Sequence, residues 1–210
     1  SNIYKKSNFK GKLKFVSINN YKPIRKKIKN IYLKSKMNDE NMSFVFELAK
    51  KFSISNNSFI RSVNSFRGLE HRHEVFYKKS DVTFINDSKA TSFEATKHAL
   101  MSNKNIYWIV GGLPKKNDYF YLQNLKKEIV KAYIIGKSSS FFKKQVQKYI
   151  SYKISKNIRN AVNSIYKDIK LNKNSEKTIL LSPAAASFDQ FKNFENRGVY
   201  FKNLIIKKFK

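Results

Sequence analysis

The sequence predicts an α/β protein: a Rossmann-like domain with a mostly parallel sheet, preceded by the C-terminal part of a second α/β domain. Three observations carry this. From Arg67 onward, short apolar runs of β-forming residues alternate with longer stretches at helical spacing, the pattern of strands joined by helical crossovers. Small and polar residues cluster directly after several of those strands, where sheets of this kind bind ligands. The 210 residues are 41% hydrophobic and 15% aromatic, which is enough for one or two packed domains and too apolar for a disordered basic tail.

Taken in order, residues 13–18 alternate apolar and polar as a strand does, and Ile28, Ile31 and Leu33 mark a second short β-leaning stretch. Two helices are expected next. Met42, Val45, Phe46, Leu48, Ala49 and Phe52 recur at helical spacing, and Phe59, Ile60, Val63 and Phe66 repeat the pattern between residues 55 and 66. These helices should expose apolar surface when the rest of their domain is missing. A boundary is placed at Arg67-Gly68, giving domains 1–66 and 67–210. Beyond it, strands are expected over 74–77, 82–86, 106–111, 132–136 and 178–182, with helices over 93–101, 118–130, 141–149, 156–171 and 188–209.

The net charge of +30 points first to phosphate partners. Only six of the 44 basic residues are Arg, however, and Arg is the residue of base readout and bidentate phosphate contacts. The excess also runs through both parts of the chain, as a compositional background would. A basic nucleic-acid-binding module is therefore the alternative reading and not the leading one. The absence of Cys excludes disulfides and thiolate metal sites. No run approaches the ~20 apolar residues of a spanning helix, so a soluble protein is expected. The chain starts at Ser1, which suggests processing or the back part of something longer.

Strand ends are the places to look for chemistry. In Asn86-Asp87-Ser88-Lys89-Ala90-Thr91, Asp87 can accept from sugar hydroxyls and Lys89 can neutralise a carboxylate or phosphate. Thr91-x-x-Glu94 has capping-box spacing, so the next helix would offer its N-terminus to an anion. Gly111-Gly112-Leu113-Pro114-Lys115 lets backbone approach a ligand closely with Lys115 at the rim. Ser182-Pro183-Ala184-Ala185-Ala186-Ser187 leaves room for a bound molecule, and Ser187-x-x-Gln190 again has capping-box spacing. Near the boundary, Arg72 is a candidate phosphate contact. His71, His73 and Glu74 make a poor metal cluster, because an extended segment would split neighbours between two faces. Gly136-Lys137-Ser138 is no P-loop, since Lys131 stands where the motif needs Gly.

In order and spacing, Gly68-Leu69-Glu70-His71-Arg72, Asn86 to Thr91, Gly111 to Lys115 and Ser182 to Gly198 resemble the C-terminal half of the Mur ligases. Asn38-Asp39-Glu40-Asn41 resembles the helix start near the end of that family's central ATPase domain. There the family has His before the first Asn and this chain has Met37, while Ala185 stands where Cys is frequent. The Ser88-Lys89-Ala90 version points to the branch that adds D-glutamate to UDP-N-acetylmuramoyl-L-alanine through an acyl phosphate, in peptidoglycan precursor synthesis.

The resemblance implies ATP contacts at Asn38, Asn41, Arg72 and Asp87, and a D-glutamate pocket lined by Lys89, Thr91, Lys115, Ser187, Phe188 and Phe194. It further implies Mg2+ held upstream, no metal site or catalytic residue within these 210 residues, a cytoplasmic protein that is monomeric at full length, and no specific nucleic-acid or membrane partner. The fragment alone is expected to be inactive.

Overall fold

The computed structural model describes residues 14–30, 32–33, 38–172 and 176–210, which fall into two compact units, one ending at Gly68 and one running from Leu69 to Lys210.

The described residues of the first unit form helices α1 (Ile18–Arg25), α2 (Asp39–Lys51) and α3 (Asn56–Ser65). Their core is Tyr21, Ile24, Ile28, Met42, Phe46, Ala49, Phe59 and Val63. The expected strand over 13–18 is not there. Leu13 lies outside the described residues, 14–17 have no regular structure, and Ser17 caps α1 by accepting from Asn19 N at 3.2 Å. The deciding pattern is Tyr21, Ile24 and Ile28, at helical spacing and all buried, which outweighs the short alternation before it. Ile31 also lies outside the described residues, and Ile28 and Leu33 sit in turns or loop. Phe44, Val45, Leu48 and Phe52 are exposed on or just after α2, the exposed apolar surface expected of these helices.

The second unit is a six-stranded sheet: β1 (Glu74–Lys79), β2 (Val82–Asn86), β3 (Ile106–Gly111), β4 (Ile129–Ile135), β5 (Tyr152–Lys156) and β6 (Lys177–Leu181), in the order β1-β2-β6-β3-β4-β5. Only the β1–β2 pair is antiparallel. The central strands β3 and β6 are buried along their whole length, as a sheet covered on both faces requires. On one face α4 (Phe93–Met101) and α5 (Ser139–Val146) pack against Ile106, Trp108 and Val110. On the other, α6 (Ile158–Leu171) and α7 (Phe194–Phe209) pack against Tyr107 and Ile109. The alternation within β3 thus feeds two cores.

Three expected elements differ. Residues 118–128 are turns and loop and not a helix, because Phe120, Leu122 and Leu125 all insert into one core; at helical geometry Phe120 and Leu122 would face opposite ways. Phe120 stacks on Phe93 at 4.5 Å between ring centroids. Residues 152–156 form the edge strand β5, which the sequence does not predict, and the helix expected from Lys156 begins at Ile158; Asn157 caps α6 by accepting from Asn160 N at 2.9 Å. The last helix begins at Phe194, not at 188, with Asn193 as its cap, accepting from Asn196 N at 2.8 Å.

Candidate functional site

Strand β6 lies between β2 and β3, so the carboxyl ends of these three neighbours form the crevice that such sheets use for ligands. Asp87 follows β2 directly. Its backbone N donates to Leu181 O at 2.8 Å, which extends the β2–β6 pairing by one residue. The carboxylate accepts from Ser182 Oγ (2.6 Å) and from the His73 backbone N (3.0 Å). Ser182 Oγ also lies 3.0 Å from Thr96 Oγ1, and its carbonyl accepts from Trp108 Nε1 at 2.7 Å. Burial pushes the Asp87 carboxyl up to about 6, against the lowering influence of the Ser182 hydroxyl, the His73 N–H and the Arg72 charge. It is therefore a carboxylate at neutral pH, held rigidly and with acceptor sites to spare.

The segment 69–73 folds as a tight turn, with φ of 63° at His71 and 46° at His73, so the argument from an extended chain does not apply there. The two imidazoles nevertheless part. His71 Nδ1 lies 2.8 Å from Asn86 Nδ2 and its ring packs edge-on against Phe194, whereas His73 packs against His98 and lies 3.4 Å from Asn103. Burial, with His98 adding to it, lowers His73 to about 4. Glu74 accepts from His71 N (3.0 Å), Asn86 Nδ2 (2.9 Å) and Lys202 Nζ (2.8 Å). Among the described residues, no three His, Asp or Glu side chains are grouped to hold a metal ion.

The other two loops meet directly. Leu113 and Ala186 exchange backbone hydrogen bonds of 2.9 Å each way, so the Lys115 and Ser187 loops run side by side. Gly112, at φ 136°, makes this possible: a Cβ there would stand 2.3 Å from Ala186 O. The paired glycines thus serve loop packing first. Lys89 is exposed and its Nζ sits 3.7 Å from the Phe194 ring centroid, which brings two expected pocket residues together. Ser187 is 3% exposed and Phe188 70%. Lys115 and Arg72 are exposed and Thr91 is half-buried.

Two capping boxes do not form. Ser92, not Thr91, caps α4, accepting from Ala95 N, and the Phe93 N–H is taken by Asp118 Oδ2 at 2.8 Å. The anion site expected at that helix start is filled by the protein's own carboxylate. Gln190 Nε2 donates to Lys156 O at 2.8 Å and does not reach back to Ser187. Asn38 and Asn41 belong to the first unit: Asn38 Nδ2 donates to Tyr32 O at 2.8 Å, and Asn41 is exposed on the first turn of α2.

Sequence reasoning assigned no role to Ser88, Ser182 or Arg197. Arg197 Nε donates to Ser88 Oγ (3.0 Å), and Nη2 donates to Ser88 O (2.8 Å) and Ala185 O (3.0 Å). Burial lowers its guanidinium to about 10, with Asp189 opposing, so it stays cationic. The only signal in the sequence was its place in the fourth motif.

Cations, hydroxyls and a buried carboxylate thus gather at the central strand ends of an α/β domain, where sheets of this kind bind ligands. No family model matches the chain. Curated relatives do: it is 39% identical over 164 residues to the UDP-N-acetylmuramoylalanine–D-glutamate ligase of Wolbachia pipientis wMel (78% of this chain, 32% of that protein). It is 40% identical over 164 residues to the ligase of the same name from Rhizobium meliloti strain 1021 (78% and 35%), and 32% identical over 182 residues to that of Rickettsia prowazekii strain Madrid E (87% and 40%).

Among solved structures, the chain superposes on MurF from Acinetobacter baumannii with a TM-score of 0.59 at 12% identity, covering 82% of this chain and 38% of that one. It superposes on the UDP-N-acetylmuramate-alanine ligase MurC from Thermotoga maritima with a TM-score of 0.54 at 14% identity, covering 85% and 40%. At that identity the likeness is one of fold. Over about four fifths of its length the chain is a homologue of named Mur ligases, and it spans only about a third to two fifths of the length of the curated relatives it matches. Nothing here supports the nucleic-acid module.

Proposed function

We propose that the chain is the C-terminal portion of an ATP-dependent ligase that joins D-glutamate to UDP-N-acetylmuramoyl-L-alanine through an acyl phosphate. On this reading residues 1–66 end the central ATP-binding domain, residues 67–210 bind the amino acid, and the full-length protein is a cytoplasmic monomer. The observation that carries the proposal is the meeting of the Asp87-Lys89, Gly112-Lys115 and Ser182-Ser187 loops at one end of the sheet, in a chain 39% identical to a named D-glutamate ligase.

A dicarboxylic amino acid needs cations and hydrogen-bond donors, and Lys89, Lys115 and Ser187 offer them, with Thr91, Phe188 and Phe194 completing the wall. Asp87 spends two acceptor sites on Ser182 and His73 and keeps others, which suits the hydroxyls of a ribose. Arg72, whose charge already acts on Asp87, suits phosphate, and Asn38 and Asn41 suit adenine. ATP, when bound, supplies the phosphoryl group that activates the acceptor carboxylate. Mg2+ is given no residue here.

The chemistry left to these residues is positioning: holding the amine of D-glutamate where it meets the activated carbonyl. The test is Lys115→Ala in the full-length enzyme. KM for D-glutamate should rise about tenfold or more, the loss of one charge-assisted contact, with KM for ATP unchanged. Unchanged D-glutamate kinetics would remove Lys115 from the pocket.

A further inference from the structure

Arg197 is a buried cation for which the proposed function has no use. It is the fourth residue of α7 and 1% exposed. Burying a guanidinium is costly unless its donors are satisfied. Here no carboxylate accepts from it; its three hydrogen bonds go to a hydroxyl and two carbonyls, at Ser88 and Ala185. Neutral acceptors do little to compensate the charge, so what the arrangement secures is geometry. Ser88 adjoins Lys89 on the loop after β2, and Ala185 lies two residues before Ser187 on the loop after β6. One planar fork therefore spans the two loops that carry these side chains. Nη1 lies beside the third loop, where a Cβ on Gly112 would stand 3.4 Å away.

The rest of α7 reinforces the same grip. Phe194 lies under Lys89, and Lys202 pairs with Glu74, which in turn holds Asn86 and the His71 N–H.

We propose that Arg197 is a positioning residue that sets the separation of Lys89 and Ser187, and so tunes the pocket to an amino acid with two carboxylates. The inference rests on the D-glutamate reading. A Lys at this position keeps the charge and loses the fork. In the full-length enzyme Arg197→Lys should raise KM for D-glutamate about tenfold or more and leave KM for ATP within about twofold, because small misplacements of binding groups are amplified in this way. Phe201→Leu, on the same helix but buried in the core away from these loops, is the control for lost stability and should leave KM for D-glutamate unchanged.

An activity-free measurement accompanies the kinetics. In the 210-residue chain, amide exchange at Lys89, bonded to His71 O, and at Ala186, bonded to Leu113 O, should speed up about tenfold in Arg197→Lys while the Ile205 amide stays protected. An unchanged KM for D-glutamate, an equal rise in the Phe201 control, or uniform exchange throughout α7 and the loops would each overturn the positioning role. A wild-type enzyme indifferent to D-glutamate would instead sink the functional reading, and the exchange result would still decide whether Arg197 clamps the loops.

Discussion

Asp87 and His73 touch through one backbone hydrogen bond and titrate in opposite senses. Burial raises Asp87 from 3.8 to about 6, so its contribution to stability is complete below about 4 and is lost as pH rises through 6. Burial lowers His73 from 6.5 to about 4, so its contribution is complete above 6.5 and is lost as pH falls through 4. Each is worth on the order of 3 kcal/mol, and together they nearly cancel. Asp87→Asn should therefore make the urea midpoint fall more steeply than wild type between about pH 7 and pH 4.5, and His73→Gln should have the opposite effect. Three parallel curves would contradict the assigned shifts. At Gly198 the constraint is space: a Cβ would lie 2.2 Å from His71 Nδ1, and that ring is itself buried. Gly198→Ala should cost about 1–3 kcal/mol in urea unfolding.

At the scale of elements, α2 shows how one helix divides its faces. Phe46 is 3% exposed in the first unit's core, while Leu48 is 56% exposed. Phe46→Ala should cost about 3–5 kcal/mol, and Leu48→Lys should stay within about 0.5 kcal/mol of wild type by denaturant titration of the 210-residue chain. A large loss from Leu48→Lys would mean that its face is covered. The strands divide differently. Strands β2, β3 and β6 were plain from their apolar runs. Strand β5, Tyr-Lys-Ile-Ser-Lys, escaped notice because an edge strand needs little buried apolar surface, and Ser155 is its one buried residue. The loop over 118–128 shows the reverse failure, where apolar content was mistaken for helical periodicity.

For the molecule as a whole the governing quantity is charge. With a net charge of +30 and ion pairs that are mostly half-exposed, self-repulsion works against the compact state. Raising NaCl from about 0.05 M to about 0.5 M shortens the screening length severalfold and should raise the thermal midpoint by a few degrees. A lower midpoint in salt would show that favourable ion pairs outweigh the repulsion. Among the described residues no helix is long and apolar enough to cross a membrane.

The α/β class, most strands and the loops that carry Asp87, Lys89, Lys115 and Ser187 were legible in the sequence, because burial imposes a period on side chains and small residues must follow strands that end in a crevice. Tertiary structure decided the rest. That Ser92 and not Thr91 caps α4, that Asp118 fills the helix start expected to bind an anion, and that Arg197 joins the loops of Ser88 and Ala185 all depend on contacts between residues 12 to 109 positions apart, or on choices among adjacent cap candidates. Periodicity reports which face of an element is buried. It carries no information on which distant donor meets which acceptor, and that pairing is what brings the three loops together.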